Sequence, residues 1–465
     1  MGVPLAMTRR IRITAVLLLL CAGWLSAFAV TGLYGRSSVY LLLPALLLGS
    51  GLGLLLKQVN IRQTVMALAA TALFSLVLIN QFLPQFSPRL SSLRQLKPEV
   101  HQVTIQPPPL VDGVVLPALP QLSSHVALHA TLFAVLPGAA HDMVYRRHRG
   151  VDQVFVSLPD LGAIYLLQDR DSDGFSEQPI LYHVGLDRPV GMAWIEDRLY
   201  VAEPSRVLEL MDTTGDQQVD RERVVLDGLP DDGGHWQRGL VADDRQQLYL
   251  SVGSRCNACE EEDARRGTLI RINPESGQAT EFARGLRYTL GLAVSADGGR
   301  LWGADISRRV DNGVRPPPDE LNLIEEGGDY GWPYCYGDQR IDRWLGNPQR
   351  CQQTVPSHVD LLPGSSPVSI AFARDLAAAG AEGTALYIVN SGVGTSLLPP
   401  DYRVLLLPFA EHRPAAKPRD FLFGWFDQGQ SRGRPIAVAA GNEGVLYVSD
   451  EQNRAVYRFR SKGGD

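Results

Sequence analysis

One short pattern returns six times along this chain: an aliphatic residue, an aromatic, then a small or β-branched pair that closes on a turn. It reads VFVS at Val154, LYVA at Leu199, LYLS at Leu248, LWGA at Leu301, LYIV at Leu386 and LYVS at Leu446. Most intervals fall in the range of about 40–60 residues that marks a propeller blade. The interval from Leu301 to Leu386 is longer and must hold an insertion. Instances tend to follow an aliphatic strand and a turn, as in GLAVSADGGRLWGAD and PIAVAAGNEGVLYVSD, which read as hairpins of short strands. No segment after residue 115 carries a long helical period. The expectation is an all-β, six-bladed propeller over residues 116–462, a ring that leaves only short, protected edges. A β-sandwich is the other all-β reading, and a repeat this regular argues against it. Ligands of propellers usually sit over the central channel, where loops from several blades converge.

The chain before the repeat is different in kind. Ile13 to Gly35, Ser37 to Leu56 and Gln63 to Ser87 carry no charged residue. Each is long enough to cross a bilayer core, which takes about 20 apolar residues. A cleaved signal peptide would explain the first alone. Three in succession predict a membrane anchor of three transmembrane helices over residues 1–87. Arg9, Arg10 and Arg12 precede the first stretch, and Lys57 and Arg62 lie between the second and third; Arg36 alone occupies the other short loop. By the positive-inside rule the N-terminus is cytoplasmic and everything after Ser87 lies outside. The expected location is therefore the inner membrane, multi-pass, with membrane lipid around the anchor and the propeller in the periplasm. Residues 88–115, with three consecutive prolines from Pro107, read as a linker. A net charge of −6 gives no basic footprint for nucleic acid.

Cys256, Cys259, Cys335 and Cys351 all follow the linker, an even number in the part expected to be exported. Disulfides are the favoured reading, most simply Cys256–Cys259 and Cys335–Cys351. The CNAC spacing also suits half a zinc site or a redox pair, though no second C-x-x-C accompanies it. The loop DRDSDGFSE places Asp169, Asp171 and Asp173 as the D-x-D-x-DG start of a calcium loop, with Ile180 where a twelfth-position carboxylate belongs. A plain polar hairpin turn is the alternative. In LPDDGGHWQRGLVADD, His235 follows two glycines and precedes an apolar run. Imidazole is the usual general base near neutral pH, and glycine lets backbone approach a ligand.

Three segments, GGHWQRGLVADDRQQLYLSVGSRCNACEEED, FARGLRYTLGLAV and PPPDELNLIEEGGDYGWPYCYGD, resemble the sorbosone and soluble glucose (pyranose) dehydrogenase family. The resemblance spans roughly Leu116 to Phe459. It implies a six-bladed propeller that uses pyrroloquinoline quinone (PQQ) and calcium to oxidise a sugar or other aldose, with electrons passed to a membrane quinone or a cytochrome. It implies that His235 is the general base. It also implies that Arg287 lies near the cofactor and that Arg432 and Arg434 in SRGRPIAV face it, cations suited to the carboxylates of PQQ. Arg238 is a further candidate, or a surface arginine. Asp305 in ADISRR is the implied calcium carboxylate.

The sequence also departs from the family. Tyr288 stands where the glucose enzymes have Asn, Leu290 where a polar amide is expected, and Ile306 and Ser307 in place of a small, polar pair. After the fifth repeated strand no cation follows Asn390 until Arg403. Besides the dehydrogenase reading stand a catalytically inactive propeller that binds carbohydrate or a protein partner, and a calcium lactonase drawing on Asp305 and Asn322.

Overall fold

The structure is a computed structural model, and it describes residues 99–108, 116–295, 298–310, 316–374, 376, 383–392, 394 and 399–462. The chain divides into two compact units, 1–98 and 99–465, and all described residues belong to the second. Six sheets of at least four strands, antiparallel but for one short edge strand of the sixth, make up the body of that unit. Their first strands are Asp142–His148, Met192–Ile195, Leu240–Ala242, Thr289–Val294, Pro367–Arg374 and Pro435–Ala440. Each first strand packs against the first strand of the next sheet, and the sixth packs back onto the first, so the strands line a closed ring. The all-β propeller expected from the repeat is what the chain forms.

Closure uses both ends of the unit. The sixth sheet takes three strands from its C-terminal part and adds Leu128–Val135 outside Ala455–Ser461, antiparallel from Leu128 opposite Ser461 to Val135 opposite Ala455. Two short strands, His101–Val103 and Ile105–Gln106, fall inside the stretch read as a linker and extend the fifth and sixth sheets.

The repeated motif is the second strand of every sheet, and its burial explains its composition. Leu199–Ala202, Leu248–Val252, Leu301–Asp305 and Leu446–Asp450 are buried at every position. A strand with a neighbouring sheet on each face has no solvent side, so it is apolar throughout rather than alternating. The motif's aromatic is the wedge between sheets. Phe155 meets Trp194 of the second sheet edge-on at 4.9 Å, Trp302 meets Phe409 of the fifth at 5.2 Å, and Tyr447 lies 6.4 Å from Tyr145 of the first. Each such buried side chain stabilises by roughly 1.5–3 kcal/mol.

The long interval holds the expected insertion. It contains a small hairpin, Cys335–Tyr336 with Arg340–Ile341, and a single helical turn, Pro348–Cys351, capped by the Asn347 side chain accepting from Arg350 N at 3.0 Å. The disulfides Cys335–Cys351 and Cys256–Cys259 are both present.

The multi-pass, inner-membrane placement is corrected here. Among the described residues no helix is long and apolar enough to cross a membrane, and the one α-helix spans four residues. The three uncharged stretches on which that placement rested lie outside the described residues.

Cys335–Cys351 closes a loop with a sequence separation of 16 residues. Replacing both cysteines with serine is expected to remove about 3 kcal/mol of stability by freeing the unfolded chain. Chemical denaturation of the oxidised protein and the double variant checks this; unchanged midpoints would refute it.

Candidate functional site at one end of the channel

In an antiparallel sheet, the entry to the first strand and the exit from the second lie at the same end. His235, Arg238, Arg287 and Arg434 sit on entries, and Asp305 ends a second strand, so topology gathers them at one mouth of the channel. The channel encloses about 340 Å³, with His141, Gln237 and Arg238 among the polar residues of its wall.

His235 is held from both nitrogens. Nδ1 lies 2.7 Å from the Ser254 carbonyl, and Nε2 lies 3.1 Å from Nη2 of Arg287. A guanidinium only donates, so Nε2 accepts and the ring proton sits on Nδ1, donated to Ser254. The Tyr288 ring covers the imidazole at 4.4 Å. The glycines have specific duties. Gly233 adopts φ +91°, and a Cβ there would stand 2.5 Å from the Arg255 carbonyl; a Cβ on Gly253 would stand 2.9 Å from both His235 Cβ and Tyr288 Cδ2. Burial, then the charge of Arg287, lowers the His235 pKa to about 4, against the pull of the Ser254 carbonyl and with help from Arg266 and Arg309.

Arg287 is 4% exposed. Its Nε donates to the Asn257 carbonyl (3.1 Å), Nη1 to the Ile306 carbonyl (2.9 Å), and Nη2 to Asn257 Oδ1 (3.0 Å) besides His235. Trp332, from the GGDYGWPYCYGD segment, lies against it at 5.5 Å. Among the described residues every hydrogen-bond partner of this head group is neutral, and burial brings its pKa down to about 10, with the carboxylates of Asp305 and Asp319 opposing. A buried charge without an ion-pair partner is costly.

The remaining candidates divide. Arg238 is 0% exposed and spends its donors on the carbonyls of Pro204, Pro230 and His235, so it ties the loop together instead of facing a ligand. Arg434 bonds the Ser391 carbonyl and, at 2.9 Å, Glu451. Arg432 is exposed and joins the fold through its backbone, its N–H donating to the Trp425 carbonyl at 2.7 Å and its carbonyl accepting from Asn453 Nδ2 at 2.9 Å. Asp305 accepts from Arg287 N, Tyr288 N and Thr289 Oγ1, a set of donors that leaves it braced as a backbone cap. Burial still raises its pKa. Asp169, Asp171 and Asp173 bring carboxylate oxygens within 4.8 Å of one another, but between the third and fourth strands of the first sheet, which is the opposite end of the propeller. Arg403, the first cation after Asn390, is paired with Asp401 and Asp420.

Four residues of the mouth escaped the sequence reading as a set. Tyr288 OH donates to Gln237 Oε1 (2.6 Å), Gln237 Nε2 meets His141 Nδ1 (2.9 Å), and His141 Nε2 lies 3.8 Å from Glu451, which binds Arg434. Burial lowers the His141 pKa, with Glu451 opposing. One signal was available: His141, like His235, stands just ahead of a first strand, in GAAHDMVY.

A domain family of unknown function, DUF7133, matches residues 145–316. No curated protein matches the chain. Solved structures share its fold. A Trichoderma reesei carbohydrate-active enzyme of family AA12, in a calcium structure, is 17% identical, with a TM-score of 0.64, covering 77% of this chain and 100% of its own. The holo PQQ domain of pyranose dehydrogenase from Coprinopsis cinerea is 15% identical, with a TM-score of 0.62 and coverage of 75% and 99%. The PQQ-bound aldose sugar dehydrogenase of Streptomyces coelicolor is 16% identical, with a TM-score of 0.52 and coverage of 74% and 99%. At these identities the likeness is one of fold: this chain is a propeller of the architecture those enzymes use.

A pH dependence follows from His235. Its folded pKa is about 4 against 6.5 for the free ring, so the unfolded chain takes up the proton first as pH falls. Its contribution to stability is full above pH 6.5 and is lost progressively toward pH 4. Denaturation midpoints between pH 7 and 4 are expected to fall less steeply in His235→Gln. Parallel curves would show that His235 is not held neutral.

Proposed function

We propose that this protein is a PQQ-dependent sugar oxidoreductase with His235 as general base. The observation that carries the reading is the pairing of a neutral imidazole, its Nε2 accepting from Arg287, with a buried guanidinium whose hydrogen-bond partners among the described residues are all neutral. Neutral, accepting Nε2 is the state a base needs to take a proton from a sugar hydroxyl. Two cations suit a polycarboxylate cofactor: Arg287, whose head group has only neutral hydrogen-bond partners among the described residues, and Arg434, paired with Glu451 at the same mouth. When bound, PQQ would supply the two-electron acceptor. Asp305 does not suit calcium, since its oxygens already serve three donors beside Arg287. No calcium step is assigned to it.

The chain's residues then have separate duties. Arg287 and Arg434 hold the cofactor's carboxylates. Arg287 also sets the base: its charge, after burial, lowers the His235 pKa, and an anion held by Arg287 would offset that charge. Ser254 keeps the proton on Nδ1 throughout. Tyr288 and Gln237 wall the side of the ring on which the sugar is placed. The second reading, a propeller that binds carbohydrate or a protein without turnover, is favoured by the same Arg287–His235 bond, which occupies the base.

Two substitutions separate these roles. His235→Gln is expected to keep PQQ binding, followed by absorbance titration, while dye reduction across a panel of aldoses falls about 100-fold or more. Arg434→Ala is expected to weaken PQQ binding before it lowers turnover at saturation. Wild-type protein that binds no PQQ would end the dehydrogenase reading in favour of the second. Unchanged turnover in His235→Gln would remove the residue from the chemistry.

A further inference from the structure

The eight residues from Ser254 to Glu261 touch both halves of the His235–Arg287 pair. The Ser254 carbonyl fixes the His235 tautomer, and Ser254 N donates to the Arg287 carbonyl at 2.8 Å. Three residues on, Asn257 engages the Arg287 head group twice, through its carbonyl and through Oδ1. The same side chain is locked to the next sheet: Oδ1 accepts from Arg309 N and Nδ2 donates to the Arg309 carbonyl, both at 2.9 Å. Asn257 lies inside the ring closed by Cys256–Cys259. The loop is fastened at its base by Glu261, which accepts from Ser254 Oγ and from Arg255 N. No strand or apolar core holds residues 255–261, and Asn257 is exposed. The restraints on Asn257 are the cross-link around it and the two bonds to Arg309.

We infer that Asn257 is a positioning residue: held by the Cys256–Cys259 disulfide, it aims Arg287 at Nε2 of His235, so opening that disulfide alters the base without unfolding the propeller. The charge argument explains the choice of residue. A carboxylate at this position would neutralise Arg287 and compete with an anionic ligand, whereas an amide oxygen orients the guanidinium and leaves its charge available. The placement makes the site sensitive to thiol reductants through one bridge of the two. This inference concerns the apo protein's geometry; its consequence for catalysis rests on the dehydrogenase reading.

The test uses the full chain with histidine-selective ¹³C labelling, the His235 resonance being assigned by its loss in His235→Gln. Groups facing that ring are Arg287, Arg266, Arg309 and Tyr288. Asn257→Ala, and Cys256→Ser with Cys259→Ser, are expected to raise the His235 titration midpoint by about one pH unit as Arg287 swings away. Cys335→Ser with Cys351→Ser, a structural control, is expected to leave that midpoint in place while lowering thermal stability. In parallel, Asn257→Ala is expected to weaken PQQ binding by about tenfold, the loss of one oriented charge-assisted contact. If Arg287→Gln moves the His235 midpoint but Asn257→Ala and the opened disulfide do not, Asn257 is a surface residue and the inference fails. If none of the three moves it, the Arg287–His235 contact itself is refuted. Midpoint shifts in a protein that binds no PQQ would keep the positioning role and sink only the dehydrogenase reading.

Discussion

Antiparallel pairing between Leu128–Val135 and Ala455–Ser461 closes the ring, and the functional end of the molecule depends on that closure. A propeller's first strands touch only their neighbours in the ring, so each is correctly placed only when the circle is complete. The mouth of the channel draws His141 from the first sheet, Gln237 and His235 from the third, Arg287 and Tyr288 from the fourth, and Arg434 and Glu451 from the sixth. No two adjacent sheets hold more than part of it. Backbone pairing between strands more than 300 residues apart is what makes these side chains neighbours.

Electrostatics then does what packing cannot. Burial, together with the charges of Arg287, Arg266 and Arg309, keeps the His235 imidazole neutral well below its ordinary range. The guanidinium groups of Arg238 and Arg287 have no hydrogen-bonded carboxylate among the described residues, while that of Arg266 has Asp232. Both guanidiniums are buried, and carboxylates reach them only through space, Asp305 and Asp319 for Arg287 and Asp231 for Arg238. They differ in their contacts: Arg238 is spent on backbone carbonyls, and Arg287 retains contact with the base.

The repeat and the two disulfides were legible because each leaves a local mark, whereas Arg287 was singled out only by the family resemblance and His235 by that resemblance and its glycine pair. The motif strands are apolar on both faces and spaced at blade length, and paired cysteines in separate segments suggest their partners. Arg238 was harder, since an arginine near a glycine pair looks the same whether it points to ligand or to the carbonyls of Pro204 and Pro230. Asp305 reads as a free carboxylate in ADISRR, yet the turn at Arg287–Thr289 supplies three donors to it. The apolar N-terminal stretches gave the clearest hydropathy signal in the chain, and the multi-pass placement built on them found no spanning helix among the described residues.

What the sequence determined alone is the all-β ring and the types of residue that reach its mouth, since hydrophobic period and repeat length act through local burial. What only the tertiary structure decided is the pairing among them: that Asn257 grips Arg287, that Arg287 caps His235, and that His141 answers Gln237 across the channel. Those contacts join residues 30 to 96 positions apart. Their geometry is set by ring closure and by desolvation, quantities that belong to the folded whole and leave no trace in any short stretch of chain.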